Sequence, residues 1–144
     1  MNKLLITTLF ILTAGFIQAQ KLKESEVPAA VKKIQAETFP GIKVEKWEKE
    51  GDLFEAEFHS NKVETSVLYD AAGALMSTET EIPVSDLPQT AKDYVKRALG
   101  GKTIKSASKI VDATGNINYE ADVDNVDYIF DINGSFIKSE TDKD

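Results

Sequence analysis

The sequence predicts an α+β fold built from two tandem copies of one unit, a helix followed by a four-stranded antiparallel sheet. Three observations carry that prediction. Phe54-Glu-Ala-Glu-Phe58 and, further along, Tyr119-Glu-Ala-Asp-Val123 share one alternation of apolar and acidic residues. Val67-Leu-Tyr-Asp-Ala-Ala-Gly73 returns as Tyr128-Ile-Phe-Asp-Ile-Asn-Gly134, an apolar strand that runs into an Asp-x-x-Gly turn. Ser25-Glu26-Val27-Pro28 returns sixty residues later as Ser85-Asp86-Leu87-Pro88. A repeat on this scale dictates how a chain is assembled and says nothing about its chemistry.

The first copy opens after a polar lead-in over 20–26. Val27, Ala30, Val31, Ile34 and Phe39 follow helical spacing, with Pro28 suited to the first turn and Glu26 complementing the positive end of the helix dipole. Phe39-Pro40-Gly41 stops that helix. Strands are expected over 42–49, 53–58, 63–69 and 74–79. In the second of these, Phe54, Ala56 and Phe58 share one face while Glu55 and Glu57 take the other. A helix followed by strands joined by short turns lies across an antiparallel sheet.

The second copy carries its helix on Leu87, Ala91, Tyr94, Val95, Ala98 and Leu99, ending at Gly100-Gly101. Its strands are expected over 104–111, 117–123, 126–131 and 135–139. The copies differ in the spacing from Phe58 to Tyr69 against Val123 to Phe130, which lengthens the first hairpin by four residues around His59-Ser60-Asn61-Lys62. A longer tip projects, and projecting tips on rigid sheets often bind; a neutral insertion lengthens a loop just as readily.

Lys3 followed by the apolar run Leu4 to Ile17 and the small residue Ala19 has the pattern of a secretory signal peptide cleaved after Ala19. The run is short for a membrane span, the alternative being an uncleaved anchor. The expected organisation is a signal peptide over 1–19, repeats over 20–79 and 87–139, a polar linker over 80–86 and a solvated tail over 140–144. The destination is then the periplasm or the outside of the cell. No cysteine is present, so the exported chain must hold together by apolar burial. Without Lys3 it carries 16 basic against 24 acidic residues, a net charge of −8. That balance argues against nucleic acid and anionic membranes, allows a basic protein partner, and equally serves solubility.

Histidine- and cysteine-based catalysis and zinc chemistry lack their parts, while counting leaves a lysine- or carboxylate-based enzyme open but without support. His59 is the sole histidine, which removes Ser-His and Cys-His nucleophiles and a zinc site. Asp70, Asp112 and Asp131 each precede a glycine by three residues, but they lack the spaced ligands of a calcium loop and read as turns. No cofactor and no metal is expected. The carboxylates Glu55, Glu57, Glu120 and Asp122 point away from the helices and form an acidic stripe, either a docking surface for a basic partner or the ordinary polar side of a sheet. Trp47, matched by Ala107 in the second copy, is either an interface anchor or a cap on the core edge.

The pieces Val27-Pro28, 54–58, 68–75, Leu87-Pro88, 119–123 and 129–136 together resemble the PepSY-like group, also described as β-lactamase-inhibitor-like proteins. The resemblance implies that both units join into one continuous curved sheet with the helices on one face and the other open to a protein partner. It also implies that hairpin tips grip the partner, here His59 to Lys62 and Asp124-Asn125 onward to Asp127. The expected function is an exported, non-catalytic protein-binding module, an enzyme inhibitor in one form. The alternative is a small-ligand or cation-binding periplasmic sensor or buffer.

Overall fold

A computed structural model of the chain describes residues 20–141. The expected signal peptide and residues 142–144 lie outside the described residues. Nine strands form one antiparallel sheet in strict chain order: β1 (Gln20–Leu22), β2 (Lys46–Glu50), β3 (Leu53–Ser60), β4 (Val63–Tyr69), β5 (Leu75–Ile82), β6 (Ser106–Asp112), β7 (Ile117–Asp122), β8 (Val126–Asp131) and β9 (Phe136–Thr141). Helix α1 (Ala29–Thr38) connects β1 to β2, and α2 (Gln89–Ala98) connects β5 to β6. Among the described residues no helix is long and apolar enough to cross a membrane.

Each helix begins later than its apolar spacing suggests. A 3-10 turn, Glu24–Glu26 or Val84–Asp86, comes first, and Pro28 and Pro88 stand at the N-caps with extended ψ of 141° and 139°. Val27 and Leu87, expected inside the helices, lie before them and plug the core with 3% of their surface exposed. Val31 and Gln35 of α1 and Ala91 and Val95 of α2 are four apart and bury one stripe of each helix.

Strand register puts both helices on one face. Thr65 pairs with Thr80, Thr80 with Lys109, and Lys109 with Tyr119, so the face of β4 that carries Val67 and Tyr69 continues across the sheet. Against it pack two apolar clusters. Val27, Val31, Trp47, Phe54, Ala56, Phe58, Val67 and Tyr69 surround α1; Leu87, Ala91, Val95, Ala107, Ala121, Val123 and Phe130 surround α2. Leu22 opposes Trp47 as Ile82 opposes Ala107, each residue sixty positions from its counterpart.

Several expected boundaries are corrected. The polar lead-in contains β1, which hydrogen-bonds along the edge of β2 while Leu22 packs on the first cluster. The expected linker over 80–86 is in part strand: Thr80–Ile82 complete β5 and pair with β6, and Val84–Asp86 form the turn before α2. β2 and β6 start at Lys46 and Ser106 rather than at Ile42 and Ile104, whose side chains instead pack on the two clusters. Glu140 and Thr141, expected in a tail, finish β9.

Both hairpin tips are two-residue turns with left-handed backbone, Asn61-Lys62 (φ 52° and 69°) and Asp124-Asn125 (φ 57° and 61°). Positive φ at both central positions is the geometry that continues the natural twist of a hairpin. The four extra residues of the first copy therefore extend its ladder by the pairs His59–Glu64 and Ser60–Val63, roughly 7 Å of added arm. At the opposite end, Asp70, Asp112 and Asp131 turn inward. Each Oδ1 accepts backbone N–H groups two and four residues ahead at 2.8–2.9 Å. Those carboxylates are part of the turn itself.

Candidate functional site

Strand alternation that buries one face delivers the other to solvent, and there the carboxylates collect. An open trough of about 580 Å³ runs across β2 to β8 and is lined by ten carboxylates, three serine hydroxyls and one ammonium. Glu48 and Glu50 of β2, Glu55 and Glu57 of β3 and Glu64 of β4 line one half; Glu79 and Glu81 of β5, Glu120 and Asp122 of β7 and Asp127 of β8 line the other. Ser66, Ser106 and Ser108 stand between them, and Lys46 is the single cation.

The tightest part of the trough is the group Glu48, Glu55 and Glu57, whose carboxylate oxygens lie within 4.8 Å of one another. Pairing explains the crowding: Glu55 stands opposite Glu48 on one neighbour and Leu68 on the other, with Glu57 two residues along its own strand. Lys46 Nζ bridges Glu48 Oε2 at 2.9 Å and Glu57 Oε1 at 3.2 Å. Glu55 instead accepts a short hydrogen bond from the Ser66 hydroxyl. Burial pushes the Glu55 carboxyl up to about 7, with Glu50, Glu57 and Glu79 adding repulsion and Ser66 opposing. Burial also raises Glu57 despite its contact with Lys46, and raises Glu50, where Glu48 and Glu79 reinforce it. Lys46 is held above its ordinary range, chiefly by its hydrogen bond to Glu48.

The four carboxylates picked from the sequence, Glu55, Glu57, Glu120 and Asp122, all line this trough. Asp122 is buried, accepts the Asn125 backbone N–H at 2.9 Å and lies 3.4 Å from Lys105 Nζ. Trp47 is the exception. It is 7% exposed, sits on the helix-covered face within the first cluster and is no interface anchor; it fills the space that Ala107 leaves smaller in the second half. The tip residues lie outside the trough's lining. His59 Nδ1 is 3.1 Å from Glu45 Oε1, while Ser60, Asn61 and Lys62 complete the exposed turn. Asp124 pairs with Lys102 at 2.8 Å, and Lys105 Nζ donates to Asn125 Oδ1 at 3.3 Å.

Sequence reasoning missed Lys46, Glu48, Glu50, Glu64, Glu79 and Glu81, and placed Asp127 at a hairpin tip rather than in the trough that it lines. Alternation from Leu75, which packs on the first cluster, would send Glu79 and Glu81 to the helix-covered face; a bulge between Leu75 and Ser77 reverses the parity and delivers both to the open face, so their place was not legible in the strand pattern.

No protein-family model matches the chain, and no curated protein matches it. Solved structures share its fold. A protein from Bacteroides eggerthii, provisionally assigned to the periplasm, superposes with a TM-score of 0.66 at 14% identity, over 79% of this chain and 88% of its own. A DUF2874 family protein from Bacteroides uniformis gives 0.65 at 16% identity, over 78% and 88%. A BLIP-like protein from Bacteroides fragilis gives 0.59 at 19% identity, over 81% and 89%. The α+β fold of an open antiparallel sheet with two helices is therefore one that BLIP-like and DUF2874 proteins share.

Proposed function

We propose that this chain is an exported, non-catalytic binding module whose carboxylate trough docks a cationic segment of a protein partner. The observation that carries the reading is the lining of the trough: ten carboxylates against one ammonium on a sheet face that no helix covers. A surface of this kind draws a basic partner by long-range attraction and penalises an acidic one. Two PepSY-like repeats account for the sixty-residue correspondence of turns, helices and registers, and the longer first hairpin gives the trough a projecting arm. The provisional periplasmic assignment of the Bacteroides eggerthii neighbour supports an extracytoplasmic location. The BLIP-like description of another neighbour supports enzyme inhibition as one form of docking.

The test is affinity capture from an envelope extract with the mature protein. Reversing Glu55, Glu57, Glu120 and Asp122 to lysine should abolish recovery of a basic protein, whereas reversing Lys96 and Arg97 on α2 should not. Capture that survives reversal of the trough would refute the reading.

A divalent cation is a second reading, favoured by the approach of Glu48, Glu55 and Glu57 to within 4.8 Å. A calcium-dependent rise in melting temperature that Glu57→Gln removes would support it.

A further inference from the structure

The sheet ends differently on its two sides. β1 caps the edge of β2 at Trp47 to Lys49, whereas β9 pairs with β8 alone among the described residues. The counterpart of β9 in the first half is β5, and both strands bulge at the same step, leaving Met76 and Ile137 without an opposite residue. The outer edge of β5 is filled. Ser77 to Ile82 pair with β6, and the Ala113 N–H donates to the Met76 carbonyl at 2.8 Å. The outer edge of β9 offers the same groups. Val126 exchanges both backbone bonds with Val123, so ladder alternation turns Asp127 and Ile129 toward β9. Lys138 and Glu140 meet them, and Ser139 and Thr141 present their N–H and C=O groups outward. Three of the exposed large apolar side chains, Ile132, Phe136 and Ile137, gather at this edge. Phe136 stacks there on Tyr94, with ring centres 4.7 Å apart.

We propose that the partner's cationic segment binds as an added antiparallel strand on β9, its apolar residues alternating with lysine or arginine. The proposal rests on the docking reading above and gives its mode. Register sets the alternation. Tyr128, packed on the second cluster, stands opposite Ser139, while Asp127, in the trough, stands opposite Glu140. Residues of the added strand opposite Ser139 and Thr141 complete the ladder and join Phe136 on the helix side, which calls for apolar side chains. Their neighbours emerge on the open face beside Glu140 and Asp127, which calls for cations. The internal junction of β5 with β6 shows that an edge of this build accepts a strand. A single strand also suits the space. A flat sheet would hold β2 and β9 about 34 Å apart, far beyond the reach of screened charges. Glu140 nevertheless adds repulsion at Glu50, so the sheet is rolled and the edge of β9 turns toward β2. A second copy paired on β9 would continue that roll into β2; one strand would not.

Two capped heptapeptides of alternating lysine and valine test this on the mature protein, one of them N-methylated at every valine. Both carry the same charge, but only the unmodified peptide can complete the ladder. It should slow amide exchange at Ser139 and Thr141 and bind about tenfold or more tighter than its methylated form. Ser139→Pro removes an outward N–H, which an edge strand tolerates, and should weaken the unmodified peptide with little change in melting temperature. Equal affinity of the two peptides, or protection on β1 and β2 instead of β9, overturns strand addition while docking by charge stands. Binding of neither peptide at low salt overturns both. A dimer in sedimentation that protects β9 without peptide gives the edge to a second copy and overturns the proposal.

Discussion

Tyr69 Oη donates a 2.5 Å hydrogen bond to Gln35 Oε1 in the heart of the first cluster, where Gln35 is 3% exposed and Tyr69 fully buried. The second half is built without this pair: Val95 stands sixty residues after Gln35, and Phe130 occupies the strand position of Tyr69. Burial holds the Tyr69 phenol at about 12, so it stays a donor at any working pH. Gln35 Nε2 is buried with no protein partner among the described residues.

That asymmetry predicts a non-additive pair of substitutions. Tyr69→Phe removes the one hydrogen bond and leaves the whole Gln35 amide unsatisfied, which costs about 1–3 kcal/mol. Gln35→Val strands the phenol and costs a similar amount. The double variant copies the second half and should unfold in urea at or above the wild-type midpoint. The coupling would then exceed about 1 kcal/mol. A double variant as weak as the sum of its parents would show that the pair is not the unit of stabilisation.

Gly73 and Gly134 set how closely the strand-end turns approach the helices. Both have left-handed φ, 87° and 81°. A Cβ on Gly73 would lie 2.9 Å from the Ala30 carbonyl oxygen, and one on Gly134 would lie 2.8 Å from the Ala91 backbone nitrogen. Gly115, with φ of 85°, faces open space. Gly115→Ala should therefore cost about 1 kcal/mol from backbone strain alone. Gly73→Ala and Gly134→Ala should cost about 2–4 kcal/mol, because backbone atoms must also shift. Denaturant midpoints of the three variants check the ranking.

The turns and strands read so well from sequence because the alternation of Phe54 to Phe58 and the Asp-x-x-Gly turns are local signals that the fold leaves unaltered. β1 was illegible for the converse reason. Gln20 and Lys21 carry no strand pattern, and the segment is extended because the edge of β2 must be hydrogen-bonded and Leu22 can reach Trp47. The acidic face could be seen one strand at a time, but the trough could not. Glu48 meets Glu55, and Glu79 joins their repulsion, only through register between strands, which no periodicity within a single strand encodes. Trp47 was ambiguous because β2 alternates loosely, and Leu22 and Ala56 fix its side.

Lys62 holds φ of 69° at the second central position of its turn, where glycine adopts that geometry without a Cβ penalty. Lys62→Gly creates the Asn-Gly dipeptide favoured in such hairpins and should stabilise the protein by about 0.5–1 kcal/mol. A higher urea midpoint with an unchanged slope would be the sign. Destabilisation would mean that the Lys62 side chain contributes contacts that outweigh its backbone.

Stability should peak in mildly acid solution, and the sign follows from which state holds the proton. Glu55 binds its proton more tightly when folded, with its carboxyl raised from 4.5 to about 7. The folded state then carries more protons than the unfolded one between those values, so stability falls as pH rises through them. Glu50 and Glu57, also raised, act in the same direction. Asp112 acts oppositely. The Thr114 and Asn116 side chains hold it down to about 2, so its contribution is present above 4 and is lost as pH falls toward 2. The melting temperature should therefore be highest near pH 4–5 and lower by several degrees at pH 8. Glu55→Gln keeps the hydrogen bond to Ser66 while removing the charge, and should recover on the order of 1–3 kcal/mol at pH 8 with little change at pH 4.5. An equal effect of the substitution at both pH values would mean that Glu55 is ionised throughout and that Lys46 serves all three carboxylates.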